Sequence, residues 1–304
     1  MIYPLISIAL ATFNGEKFLV QQMDSLLSQD YPNLEIVISD DCSSDRTWEI
    51  LQHYAVNDDR IKLLPREKNL GYVHNFIRVF MACKGEFISP CDQDDIWYQN
   101  KTSRLYESIG DATLTYCNNR FINEHNKSLG KRFSDTVSMI SGSDSRNLLF
   151  CATVLGHTML FRRDLLNFNV RLDIAPYIDW ILSFLAAENG SIIYLDEVLV
   201  DWRQHGDSAT AHIRKKLKGS KEKALKADQE HLKACLLIPS KHHDFILVAF
   251  LAWNKWVNSY INFSMFRLVI RYGSITHRAH AARFPALKYL LGYKLKKLLR
   301  PNHY

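Results

Sequence analysis

Residues 5–47 read LISIALATFNGEKFLVQQMDSLLSQDYPNLEIVISDDCSSDRT. Two short apolar runs, 5–11 and 35–39, bracket a stretch at 16–28 whose apolar residues recur at helical spacing, giving a strand–helix–strand order. The pattern continues with strand character at 61–64 and 87–90 and helical spacing at 45–55 and 72–83. Such alternation predicts an α/β fold, Rossmann-like, with a mainly parallel sheet flanked by helices. Each run ends in polar residues: TFNG at 12–15, DDCS at 40–43 and CDQDD at 91–95. Open α/β sheets bind ligands beyond the carboxyl ends of their strands, so the three clusters should meet in one crevice.

Farther on, 113–118 and 156–161 read as strands, and 178–188 as a helix beginning near Asp179. Residues 192–202 read as one or two strands broken at Asp196 and Glu197, and 203–208 as a loop. Beyond about 211 strand signals stop. Residues 213–237 form a Lys-rich helical stretch. Within 244–272, Ala249, Trp253, Trp256, Tyr260 and Phe263 recur at helical spacing opposite a polar stripe of Asn254, Asn258 and Asn262. The organisation expected is an α/β domain over 1–210 and a helical basic region over 211–304.

The chain has 304 residues, 47% hydrophobic and 23% charged, which allows a full core and excludes disordered and fibrous classes. Its net charge of +6 conceals a division. Residues 1–210 carry 19 Lys and Arg against 28 Asp and Glu, and residues 211–304 carry 19 against 4. The six cysteines (42, 83, 91, 117, 151 and 235) lack metal-type spacing and suit a reducing cytoplasm without disulfides. No signal peptide is evident, and the longest apolar run, 245–253, is far shorter than the roughly 20 residues that span a bilayer. The expected location is cytoplasmic, with a peripheral place at the inner face of the cell membrane.

Asp92, Asp94 and Asp95 put three carboxylates within four residues behind a strand. Carboxylates this close raise one another's pKa unless a cation neutralises them, and a hard divalent ion such as Mn²⁺ or Mg²⁺ that bridges a diphosphate does so. A solvated acidic turn is the plain alternative. In the second cluster Asp45 is placed to cap the helix that follows, which leaves Asp40 and Asp41 free to accept the imide N–H of uracil or thymine.

These residues, with NLGYVHNF at 69–76 and CKGEFISPCDQDDIW at 83–97, resemble the family 2 glycosyltransferases of GT-A fold. The likeness is greatest to the branch containing bacterial rhamnosyltransferases of polysaccharide and O-antigen assembly. It implies that Thr12, Asn14 and Glu16 lie near the nucleotide and that Asp41, with Asp40 behind it, meets the base. It gives Asp92 to the ribose and the metal, Asp94 to the metal, Asp95 to their support, and Asn69, Gly71 and Asn75 to the donor pocket. YIDW at 177–180 resembles the family's acidic motif, which makes Asp179 the catalytic base, with Trp180 beside it in support. RQHG at 203–206 resembles its basic loop, with His205 on the metal or diphosphate and Arg203 in support.

The resemblance therefore implies an inverting, metal-dependent transfer of a sugar, rhamnose among the candidates, from a UDP- or dTDP-linked donor to a glycan or lipid-linked acceptor. Two other readings stand beside it: a metal-dependent phosphohydrolase, and a non-catalytic assembly protein that keeps a nucleotide site. A phosphohydrolase of that kind expects its DxD behind the first strand; here it follows the fourth. The basic tail has no aromatic recognition motif for nucleic acid, and fits an anionic membrane surface or a homodimer contact better.

Overall fold

The computed structural model describes residues 3–167, 171–206, 221–276 and 285–299. Strands β1 (Ile6–Thr12), β2 (Leu34–Asp40), β3 (Ile61–Leu63) and β4 (Phe87–Cys91) alternate with helices α1 (Glu16–Leu27), α2 (Thr47–Asn57) and α3 (Tyr72–Ala82). After β5 (Ile96–Trp97) and α4 (Lys101–Ile109) come β6 (Leu114–Asn123), β7 (Ser128–Arg132), β8 (Met159–Arg162), α5 (Ile178–Glu188) and β9 (Ile192–Gln204). The strand order is β3-β2-β1-β4-β8-β6-β9-β5, with β7 on β6. β1 to β4 pair in parallel, and β6 and β9 run parallel to each other. β8 is inserted antiparallel between β4 and β6.

β1 and β2 are buried almost throughout, as expected of parallel strands covered on both faces. Period-two alternation divides their side chains between two cores. Ile6, Ile8, Leu10, Ile36 and Ile38 join Leu19, Met23 and Leu26 of α1, Leu51 of α2 and Leu105 of α4. Ala9 and Val37 face the other way, onto Phe76, Val79 and Phe80 of α3 and the apolar side of α5. A one-residue slip of β1 would exchange Ile8 and Leu10 for Ala9 and strand both cores, so the register is fixed by volume as well as polarity.

Several expectations need correction. Residues 156–161 are not one strand, because Gly156–Thr158 form a 3-10 turn before β8. Asp196 and Glu197 do not break 192–204 either. They form a bulge in which Leu195 pairs with Cys117 and Val198 with Asn118, so β9 continues through Arg203 and Gln204, which were expected in a loop.

The carboxyl-terminal helices α6 (Lys221–Leu236), α7 (His243–Val257), α8 (Phe263–Arg271), α9 (Gly273–Thr276), α10 (Pro285–Leu290) and α11 (Tyr293–Leu299) follow. Leu232, Cys235, Ile246, Ala249, Trp253, Trp256, Met265 and Leu268 enlarge the core that α5 covers. His231 stacks on Trp180 at 3.6 Å, its Nε2 3.0 Å from the Leu148 carbonyl oxygen, and burial lowers its pKa to about 3, so it sits neutral in the core. Residues 244–272 are not one helix. Asn262, buried, accepts the Met265 N–H and caps α8, so the chain breaks after Val257. The polar stripe is therefore no stripe, and of the five aromatic-face residues Tyr260 and Phe263 are exposed while Ala249, Trp253 and Trp256 are buried. The expected boundary near 210, and Lys215, Lys216 and Lys218 of the basic stretch, lie outside the described residues.

Candidate active site

The three polar strand ends do meet. Thr12 donates its hydroxyl to Asp40 at 3.0 Å, and the Asp41 N–H donates to the Thr12 carbonyl at 2.9 Å. The Gln93 amide pairs with the backbone of Phe13, accepting its N–H at 2.8 Å and donating to its carbonyl at 3.0 Å. That pairing clips the acidic turn 92–95 onto the β1–α1 loop. A Cβ on Gly15 would overlap the end of the Gln93 side chain and displace this clip. Gln93→Ala should cost about 1–2 kcal/mol for two lost hydrogen bonds, read as a fall in Tm of roughly 2–8 °C; an unchanged Tm would show that the turn is held elsewhere.

Asp40 and Asp41 are not free, contrary to expectation. Asp40 also accepts the Ser43 N–H and hydroxyl, and Arg66 Nε lies 3.1 Å away as its counter-ion. Both oxygens of Asp41 hold backbone N–H groups, of Leu70 at 2.6 Å and Gly71 at 2.9 Å, and so fix the approach to α3, where Gly71 takes a φ of +81°. Asn69 donates to the Asp41 carbonyl, and buried Asn75 donates to those of Ser39 and Thr12. Asn14 accepts the Ser44 N–H, Glu16 accepts the Arg46 N–H, and Asp45 returns the bond to the Glu16 N–H. Asp45 also accepts the Thr47 N–H at the start of α2, although the residue in the cap position is Arg46. These residues therefore build the floor of the crevice and stitch the first loop to the second.

On the acidic turn, Asp94 lies 2.8 Å from His205 Nε2. Buried Arg203 makes this juxtaposition. Its Nε donates to the Asp94 carbonyl at 2.8 Å, its Nη2 to Gln21, its Nη1 to Asn126, and its backbone N–H to Asp95 Oδ1 at 2.9 Å. Because Arg203 belongs to β9, the strand end delivers His205 to the turn. Asp92 and Asp95 face instead toward His157 of the 3-10 turn, whose Nδ1 is 3.5 Å from Asp92 and 3.8 Å from Asp95. Burial first, and then the Asp94 and Asp92 charges, raise the Asp95 pKa against the pull of His157. Burial opposes charge on His157, yet the Asp95 and Asp92 carboxylates outweigh it and raise its pKa.

Asp179 stands in the first turn of α5, its oxygens accepting the N–H groups of Trp180 at 2.9 Å and Gly156 at 3.3 Å. Desolvation, then the charge of Asp92, raises its pKa to about 6. Trp180 points away from the crevice, with its indole N–H on the Leu148 carbonyl. Tyr72 was not singled out by sequence. Its side chain is 44% exposed, yet its hydroxyl sits where burial and the carboxylates of Asp92, Asp179 and Asp94 lift its pKa well above the tyrosine norm. Lys101 was missed too. It is buried with Nζ 3.3 Å from Ser89 Oγ and 2.8 Å from the centre of the Trp97 ring, and desolvation lowers its pKa to about 7. The oxygen-rich turn with an imidazole on either side fits a divalent cation, and Asp95 Oδ2, buried without a hydrogen-bond partner, is an acceptor that such an ion would satisfy.

A mainly parallel sheet ending in a carboxylate crevice, with a separate carboxylate on a facing helix, is the architecture of a GT-A-type α/β protein. The sequence profile of glycosyl transferase family 2 matches residues 7–168, more than half of the chain, and the chain belongs to that family. Among curated relatives, a putative colanic acid biosynthesis glycosyl transferase of Escherichia coli is 40% identical over 102 residues, 33% of this chain and 36% of that protein. The putative glycosyltransferase EpsH of Bacillus subtilis is 29% identical over 225 residues, 70% of this chain and 65% of that one. The chain thus spans between about a third and two thirds of the relatives it matches. In fold it is similar to residues 1–349 of S. aureus TarS solved with UDP-GlcNAc, with a TM-score of 0.60 and 21% identity over 83% of this chain and 72% of that one. It is also similar to the mannosyltransferase PcManGT from Pyrobaculum calidifontis solved with GDP-Man and Mn²⁺, with a TM-score of 0.59 and 15% identity over 100% of this chain and 83% of that one.

Proposed function

We propose that this protein is an inverting glycosyltransferase of cell-surface polysaccharide synthesis, moving a hexose or deoxyhexose, rhamnose included, from a nucleoside diphosphate to a hydroxyl of a glycan or lipid-linked glycan. The observation that carries the reading is the position of Asp179. It stands apart from the acidic turn, yet close enough for the Asp92 charge to act on it, and its pKa of about 6 suits a base working near neutrality. Its carboxylate takes the proton of the acceptor hydroxyl as that oxygen attacks the anomeric carbon and the nucleoside diphosphate leaves from the opposite face. Thr12, Asn14, Glu16, Asp40, Asp41 and Asn75 shape the nucleoside end of the crevice, Asp41 by fixing the backbone of Leu70 and Gly71 there, and Asp92 meets the ribose. Asp94 and His205, with Asp92 standing between them and His157, would hold Mn²⁺ or Mg²⁺, and Asp95 and Arg203 keep the turn in place. When bound, the ion supplies positive charge to the departing diphosphate. The names of the colanic acid relative and the ligands of TarS and PcManGT support this reading.

The test is a thermal-shift screen of UDP-, dTDP- and GDP-sugars with and without Mn²⁺, followed by product analysis with the stabilising donor and a lipid-linked acceptor. Metal-independent or absent stabilisation by every donor would overturn the reading. A phosphohydrolase would release inorganic phosphate instead of transferring sugar, and an assembly protein would bind donor without turnover.

We further place the carboxyl-terminal helices against the inner face of the membrane. No helix of the described residues is long and apolar enough to cross a bilayer. Leu247, Val248 and Leu251 of α7 and Phe263 and Ile270 of α8 are exposed beside Lys255, Arg267 and Arg271. The protein should co-sediment with anionic vesicles at low salt and be released at high salt, because such attachment is screened over about 8–10 Å. Equal binding to neutral vesicles, or none at low salt, would leave these residues to a homodimer contact.

A further inference from the structure

We infer that the crevice holds a second, deeper cation seat formed by Asp92, Asp95 and His157, which fills with Mn²⁺ before any nucleotide arrives. The inference rests on reading 92–95 as the cation-binding turn, and it adds a ligand that the Asp94 and His205 pair does not contain. One oxygen from each carboxylate and a ring nitrogen of His157 lie within 4.8 Å of one another. Two ligands of one octahedral ion stand about 3 Å apart when adjacent and about 4.2 Å when opposite, from bond lengths near 2.1 Å. The observed 3.5 Å from His157 Nδ1 to Asp92 and 3.8 Å to Asp95 contract to the adjacent spacing with side-chain adjustments of about 0.5–0.8 Å.

Two buried acceptors lack a hydrogen-bond partner beside this seat, and one event satisfies both. Asp95 is fully buried; its Oδ1 takes the Arg203 N–H, whereas Oδ2 has no partner and faces His157. Asn119 Oδ1 is also buried and without a partner, and the Nδ2 of the same amide lies 3.1 Å from His157 Nε2. In that arrangement Nε2 accepts and Nδ1 carries the ring proton. Ligation through Nδ1 requires the other tautomer, with the proton on Nε2. A half-turn of the Asn119 amide then presents Oδ1 to that N–H, while the ion takes Asp95 Oδ2. Asn119 acts as the positioning residue, as the outer partner of a ligating histidine does elsewhere. Trp202, its ring 5.1 Å from that of His157, holds the imidazole from the side. One imidazole and two carboxylates favour Mn²⁺ over Mg²⁺, which prefers an all-oxygen shell.

The experiment titrates the full chain with MnCl₂ in the absence of nucleotide, counting free Mn²⁺ by electron paramagnetic resonance and detecting a ligating nitrogen by electron spin echo modulation. One Mn²⁺ per chain should bind with nitrogen modulation, and with affinity at least about tenfold above that for Mg²⁺. The modulation should persist in His205→Gln and vanish in His157→Gln. Asn119→Leu leaves every ligand in place and should weaken Mn²⁺ by about 10–100-fold, which keeps the test decisive if His157→Gln does not fold. No nucleotide-free binding, wild-type affinity in Asn119→Leu, or modulation lost with His205 instead of His157 would each overturn the seat. Failure of donor binding with Mn²⁺ would count against the glycosyltransferase reading and leave these metal-alone readouts unaffected.

Discussion

Asp179→Asn should retain Mn²⁺-dependent donor binding within about twofold and lose transfer by roughly 10²–10⁴-fold, the usual contribution of a positioned base. The amide keeps the volume and can still accept the Trp180 N–H at the start of α5, so the helix and its packing should survive. What disappears is the group that takes the acceptor proton. The wild-type pH profile gives an independent check. A base must be ionised to act, so kcat/KM should fall tenfold per unit below the Asp179 pKa, which burial and the Asp92 charge set at about 6 in the metal-free crevice. A cation on the acidic turn offsets the Asp92 charge and should move that limb to lower pH. A variant with near wild-type kcat would place the base elsewhere, with Asp173 and Glu188 next to examine. Each already has a partner, Asp173 an ion pair with Arg171 and Glu188 hydrogen bonds from Ser145 and Ser240.

The first four strands and three helices were legible in the sequence because their signals are local. Periodicity marks the covered faces, and polar residues mark the strand ends. The helix carrying Asp179 was legible for the same reason, and its bounds, Ile178–Glu188, are those expected. What sequence could not show was how the polar residues spend their hydrogen bonds. Asp40 and Asp41 look like free carboxylates in a string of letters, but Arg66 and the N–H groups of Leu70 and Gly71 come to them from more than twenty residues away. His157 sits in what reads as an apolar strand, and Asn119 inside β6; only the sheet order β8-β6 brings them together. Gln93 carries no charge to mark it between two aspartates, and its place within the motif is the one local signal of its role.

The carboxyl-terminal helices show the opposite error. Helical spacing runs unbroken through Asn258 and Asn262 because asparagine is tolerated on an exposed face, and the same residue can instead cap, its side chain accepting an N–H of the next helix. With Asn262 as a cap, Trp256 turns inward and donates its indole N–H to the Leu291 carbonyl at 2.9 Å, while Lys296 lies over its ring at 5.1 Å. The exposed surface is consequently aliphatic with Tyr260 and Phe263, and the two tryptophans serve the fold.

Asp94→Asn should abolish the metal dependence of nucleotide binding, the second large effect expected of this site. The substitution nearly preserves volume, and the Arg203 guanidinium grips the Asp94 backbone carbonyl and not its carboxylate, so the turn should keep its shape. The charge is what changes. Asp94 Oδ2 faces His205 Nε2 at 2.8 Å, and a cation placed between an uncharged amide and an imidazole loses the anionic oxygen that makes a hard divalent ion bind. Titration calorimetry of the nucleoside diphosphate with and without Mn²⁺ should show the wild-type enhancement disappearing, with metal-free affinity conserved because Thr12, Asp40 and Asp41 are untouched. His205→Gln should reproduce the loss in weaker form, about 10–100-fold in metal-linked affinity. The double variant should lose little beyond Asp94→Asn alone, since two ligands of one ion act as a unit and their effects do not add. Full additivity would mean that Asp94 and His205 serve different ions, and an undiminished Mn²⁺ enhancement in Asp94→Asn would move the diphosphate-facing ion off this aspartate.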